Sequence, residues 1–124
     1  MPSKNTTPLE DAEQKTLINH LEYLRLQGKV LEYSAHIDNM FVPIPVAAKA
    51  KRLGKRKGYP DITICLASGY LLYVELKREK GSTTYPEQEV WMQVLNRYPQ
   101  VKAKICYGFK DAEAFIDEFL EPKF

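Results

Sequence analysis

Residues 58 to 77, GYPDITICLASGYLLYVELK, go far toward dictating their own pairing. Two runs rich in β-branched and aromatic residues, DITICLA and YLLYVELK, flank Ser68-Gly69, the small turn that a β-hairpin needs. With the turn centred on Ser68, Asp61 lies seven residues before it and Glu75 seven after it, so the two acids oppose each other across the pair. Opposed residues share a face with β-carbons roughly 5 Å apart, and two carboxylates so placed repel. Lys77, two residues beyond Glu75, projects to the same face, while Val74 and Leu76 point the other way. A hairpin that concentrates charge on one face must give that face either to solvent or to chemistry.

The flanking sequence supplies the rest of a small α/β domain. Thr7-Pro8-Leu9-Glu10 is a helix start, with Thr7 as N-cap, Pro8 at the first helical position and Glu10 placed for a capping box. Leu17, Leu21 and Leu24 then form one stripe with Ile18 beside it, and the helix stops near Gly28. KVLEYSAH follows as a strand. From residue 37 to about 57 comes a long connection with Pro43, Pro45 and a short helical stretch around VAAKAKRL, and long connections in small domains are usually functional or disordered. After the hairpin, EQEVWMQVLNRY places Trp91, Val94, Leu95 and Tyr98 at helical spacing, opened by Thr84, Pro86 and Glu87 and closed before Pro99. VKAKICY is a fourth strand, Gly108 a turn and DAEAFIDEFL a last amphipathic helix. The order is αβββαβα, with the fourth strand expected parallel to the third through a right-handed crossover.

At 124 residues the chain is expected to form a single domain spanning 1–124, so any partner is met by the domain itself. Hydrophobic residues at 44% and charged residues at 27% fit a globular protein rather than a disordered one. No apolar stretch is long enough to cross a bilayer, and MPSKNTTPLEDAEQ lacks the apolar core of a signal peptide. A cytoplasmic location and no membrane partner are therefore expected. Cys65 and Cys106 match no metal-binding spacing, and both are expected as reduced core residues. Charge is unevenly distributed. Lys49, Lys51, Arg52, Lys55, Arg56 and Lys57 give six bases and no acid between positions 49 and 57, and positions 111 to 121 give five acids and no base. A charge run is ordinarily a solvated loop. This basic one leads straight into Asp61, where Lys and Arg that hold a phosphate backbone would bring it beside the acids. Asn39 and the surrounding lysines are candidates for the same phosphate contacts.

A divalent cation would relieve the repulsion between Asp61 and Glu75. Two carboxylates, the Leu76 main-chain carbonyl and several waters make the oxygen-rich environment that Mg²⁺ prefers. Lys77 could orient the water or stabilise developing negative charge, which completes the parts for phosphodiester hydrolysis. The plainer alternative is a surface hairpin whose Glu75 and Lys77 make an ordinary ion pair.

The residues PD followed, one strand later, by ELK resemble the signature of the PD-(D/E)XK nuclease superfamily. More closely, GYPD, VELKREKG and PEQEVWMQVL resemble the VRR-NUC family, the virus-type replication-repair nucleases, whose hallmarks are G-x-P-D, E-x-K and a following Gln. The likeness runs from LEDAEQ to CYGFKDAEAFIDEFL. It implies a restriction-endonuclease-like αβββαβ core with a mixed central sheet, plus a C-terminal helix. It implies Asp61 and Glu75 as metal-binding carboxylates, Lys77 as the catalytic lysine and Gln88 as a further active-site residue. The first-helix acid of the family, in an E-x-x-x-Q pattern, falls on Glu10 with Gln14 following; Asp11 and Glu13 are neighbouring acids, and Glu10 also suits a capping box. His36 invites a catalytic or a structural role, Tyr59 a stacking or a packing one, and His20 none. The resemblance further implies an Mg²⁺- or Mn²⁺-dependent deoxyribonuclease acting as a homodimer on branched DNA, in the manner of a Holliday junction resolvase and consistent with a phage or prophage origin. Flap, single-strand or restriction-like cutting, and a catalytically silent DNA-binding domain, are the alternatives.

Overall fold

The computed structural model describes residues 8–36 and 42–122, with side chains described from residue 11 onward. Helix α1, Pro8–Leu26, starts at the expected proline. It buries Leu17 and Leu21 completely and Leu24 almost so. Fully burying one such side chain stabilises the fold by about 1.5–3 kcal/mol, which ties the helix to the sheet. It ends in a Schellman motif: Gly28, at φ +79°, donates to Arg25 and Lys29 donates to Leu24.

The sheet has four strands in the order β1-β2-β3-β4, comprising β1 Val30–Ala35, β2 Ile62–Leu66, β3 Leu71–Lys77 and β4 Val101–Tyr107. The β1/β2 and β2/β3 pairs are antiparallel, and β3/β4 is parallel as expected from the helix between them. That helix is α3, Pro86–Leu95. Helix α2, Ile44–Arg52, interrupts the long connection and buries none of its residues, and α4, Phe109–Phe119, closes the chain. The fold is therefore the restriction-endonuclease-like α/β core with a mixed sheet and a C-terminal helix.

The two faces of the sheet are unequal. Ile62, Ile64, Leu66, Leu72, Val74, Leu76 and Cys106 point to one side and pack against α1 and α4. On the other side Tyr73, Val101, Ala103 and Ile105 meet Met92, Leu95 and Trp91 of α3, a smaller cluster. Asn96, capping α3, bonds to both main-chain groups of Ala103 at 2.8 and 2.9 Å and so fastens the end of the helix to the edge strand.

Two details differ from the sequence expectation. The inward stripe of α3 is Gln88, Met92 and Leu95; Val94 is exposed, and Tyr98 lies beyond the end of the helix and is also exposed. A helix with apolar residues on two sides is turned by whichever set meets the sheet, and here Met92 does. Cys106 is buried as expected, but Cys65 is only half-buried because its odd-numbered position on β2 faces the thinly covered side.

Candidate active site

The hairpin register is the one that places the acids together. Ile62 pairs with Val74 and Thr63 with Tyr73, so the next pair outward is Asp61 with Glu75. The three-residue connection Ala67-Ser68-Gly69 sets this register. Leu66 donates to Tyr70 at 2.9 Å, and Gly69 takes φ +100°, which a side chain would resist. Asp61 sits just before β2, where its carbonyl accepts the N–H of His36 and its Oδ2 accepts that of Leu76 at 3.3 Å.

Glu75, Lys77 and Gln88 are polar yet 5%, 9% and 8% exposed. A buried polar group needs partners, and these three supply one another. Gln88 Nε2 donates to Glu75 Oε2 at 3.1 Å, while its Oε1 accepts the N–H of Tyr85, the N-cap of α3. The cap contact leaves the NH₂ end to face the carboxylate. Lys77 Nζ lies 3.6 Å from the same Glu75 oxygen. Burial, and then the charge of Asp61, push the Glu75 carboxyl up to about 8 despite the opposing pull of Lys77. A carboxyl displaced by burial and by a specific charged neighbour, at the floor of a cleft, marks a candidate functional site.

The segment leading to Asp61 is held from α3. Trp91 Nε1 donates to the Lys57 carbonyl at 3.1 Å. The Tyr59 ring stands edge-on to Trp91 at 4.8 Å, to His36 at 5.4 Å and to Tyr73 at 5.8 Å. Burial and the Tyr59 hydroxyl push the Tyr73 phenol up to about 12. Tyr59 thus packs among these rings while its half-buried side chain also lines the cleft above the acids, and His36 touches the site through its main chain and Tyr59. Gly58, at φ +90°, passes so close to α3 that a Cβ would lie 2.6 Å from the Glu87 backbone.

Above this floor opens a cleft of about 710 Å³. Lys51, Lys55, Arg56 and Lys57 line it, together with Asp61, Glu75, Lys77 and Gln88. Lys49 and Arg52 are exposed and do not line it, because they point off the opposite side of α2. Arg78, Ser82, Thr83 and Tyr85, from the β3–α3 connection, complete the wall. Sequence reasoning missed these four. The polar run KREKGSTT directly after E-x-K was the available signal, whereas nothing local marked Tyr85.

Asn39 and the Glu10 side chain fall outside the described residues. Of the acids beside Glu10, Glu13 is committed elsewhere, since its carboxylate accepts the N–H of Phe109 at the start of α4. His20 stays away from the cleft, edge-on to Phe109 at 5.6 Å. Among the described residues no third His, Cys, Asp or Glu joins Asp61 and Glu75. The pair nevertheless fits a hard divalent cation. Mg²⁺ is commonly held by one or two carboxylates and keeps its other oxygens from water and phosphate, and the buried Glu75 carboxyl, opposed by Asp61, is a donor whose charged form a cation would favour. Leu76 lies between the two acids with its N–H already given to Asp61.

The mixed sheet thus carries its opposed acids on the central hairpin, with a basic cleft above them. A solved structure described as "VRR_NUC domain protein" has the same fold, with a TM-score of 0.68 and 24% identity, covering 94% of this chain and 93% of that one. The resemblance drawn from GYPD and VELK is borne out at the level of the fold. No family model and no curated protein matches the sequence.

Proposed function

We propose that this protein is a metal-dependent deoxyribonuclease of the VRR-NUC type. The supporting observation is the convergence of Asp61, Glu75, Lys77 and Gln88 at the floor of a cleft with basic walls. Asp61 and Glu75 would hold the cation, with the Leu76 main-chain carbonyl beside them and Glu10 as the further ligand implied by the resemblance. Held there, an Mg²⁺ or Mn²⁺ ion would supply a water of lowered pKa and Lewis-acid polarisation of a phosphoryl oxygen. Gln88 fixes the Glu75 carboxylate, and Lys77 presents its ammonium to the attacking oxygen or to the charge that builds on phosphorus. Lys51, Lys55, Arg56 and Lys57 hold the flanking phosphates.

A single site of this kind cuts one strand, so symmetric cutting of a branched junction requires two copies related by a two-fold axis. A homodimer acting on branched DNA inside the cell, encoded by a phage or prophage, is the form of the activity that the resemblance to the virus-type nucleases suggests. The test is cleavage of labelled duplex, single-stranded, flap and four-way-junction DNA with Mg²⁺, Mn²⁺ or EDTA. Cutting that needs metal, and that falls at least about 100-fold in Lys77→Ala and Asp61→Asn, is the expected result. Salt-sensitive binding by the wild type with no cutting of any substrate would instead make the protein a silent DNA-binding domain.

A further inference from the structure

The cleft carries more apolar surface than the handling of phosphates requires. Val46, Ala47 and Ala50 share one side of α2 and line the cleft, although that helix buries no residue in the core. Apolar surface left in water forgoes about 25 cal/mol per Å², so a face of this kind is best served by an occupant with an apolar face of its own. Tyr85 also lines the cleft and is 50% exposed. Its ring is accompanied by two ammonium groups, Lys57 Nζ at 5.4 Å and Lys77 Nζ at 5.6 Å from the centroid. The cleft thus joins an aromatic ring, an aliphatic wall and a cationic rim over an acidic floor. Its size lies within the range of roughly 300–1,000 Å³ that encloses small ligands.

A fully paired duplex turns phosphates and sugars outward and keeps its base faces in the stack, so it offers the aliphatic wall only sugar edges and groove methyls and offers the Tyr85 ring no base face. A nucleotide outside the stack offers both surfaces: a flat base for a ring to stack on, and phosphates for the cations around it. We propose that the cleft receives one unpaired nucleotide, its base between Tyr85 and the Val46–Ala50 wall, so that the adjoining phosphate reaches Lys77 and the paired carboxylates. This rests on the nuclease function proposed above and narrows its substrate to DNA with an unpaired nucleotide at the cut, such as a branch point, flap or free strand. Tyr85 is then the residue that determines specificity.

The experiment uses the full chain in two arms. In EDTA, binding is measured to a fully paired duplex, to the same duplex with a flap, and to flap DNA made abasic at successive unpaired positions; 2-aminopurine at those positions reports stacking. In Mg²⁺ or Mn²⁺, cutting of the same DNAs is followed. We expect the flap to bind at least 10-fold more tightly than the paired duplex. One abasic position should cost roughly 5- to 100-fold, the range that base–aromatic stacking spans. Tyr85→Ala should lose the same factor on the intact flap and nothing further on the abasic one, with Tyr85→Trp restoring it. Equal binding of paired and flap DNA, or indifference to every abasic position, overturns the nucleotide pocket whether or not the DNA is cut. Abasic-sensitive binding without cutting sustains the pocket and overturns the nuclease. The abasic arm uses the wild type, so it remains decisive if Tyr85→Ala fails to fold.

Discussion

Glu75 shows how far one residue can depart from what stability alone would choose. Its carboxyl, ordinarily near 4.5, is held up to about 8 by burial and by Asp61. The folded chain therefore keeps a proton that the unfolded chain releases, and stability falls as pH rises from about 4.5 to about 8. In EDTA the melting temperature should decline across that window, and Glu75→Gln should flatten the decline and melt several degrees higher at pH 8, as read by a thermal scan. A variant that melts lower at pH 8 and keeps the wild-type slope would show that the proton resides elsewhere. The opposition of Asp61 and Glu75 was legible in the sequence because a hairpin centred on Ser68 leaves little freedom in register. The contribution of Tyr85 was not, since a residue before a helix carries no local mark of the cleft it faces.

At the scale of elements, α3 does most to assemble the site. Its first turns supply Gln88 to Glu75, Trp91 to the Lys57 carbonyl and the Glu87 backbone against Gly58. The sequence shows that a helix is there, but its apolar residues lie on two sides, and only contact with Ala103 and Tyr73 selects Met92 and Leu95 over Val94. Gly58 is the tightest joint. Alanine there meets both an unfavourable φ and a contact of 2.6 Å, so the segment carrying Asp61 must move away from α3. Gly58→Ala should cost about 1–3 kcal/mol in urea denaturation. It should also shift the emission of Trp91, the only tryptophan in the chain, because the Lys57 contact to its indole would be lost. Unchanged emission together with unchanged stability would mean that the loop tolerates the side chain.

For the whole molecule the charge balance of +2 conceals a directional field. Lys51, Lys55, Arg56 and Lys57 face the cleft, whereas Lys49 and Arg52 do not. Each phosphate contact removed lowers the slope of log affinity against log salt by about 0.7 for single strands and about 0.9 for duplex. Alanine at Lys55 or Arg56 should show that loss in a salt titration of DNA binding, and alanine at Lys49 or Arg52 should show much less. Equal losses at all four would place the DNA across α2 rather than in the cleft. From sequence these six bases were one undivided run; the helical turn of α2 separates Lys51 from Lys49 and Arg52, and the loop after the helix carries Lys55, Arg56 and Lys57 to the cleft.

Asn96 fastens the far end of α3 to β4, while Gln88 fastens it to Glu75 on β3 and Trp91 to the loop that leads into β2. A helix clamped at both ends behaves as a single strut, and the groups it props cannot loosen one by one. Loss of the strut would release Glu75 and the loop that leads from Lys57 to Asp61 together, and a ligand that draws those two acids inward would tighten the strut in return. The same free energy would then be read in two ways, as occupancy at the carboxylates and as protection of the amides along α3 as far as Asn96.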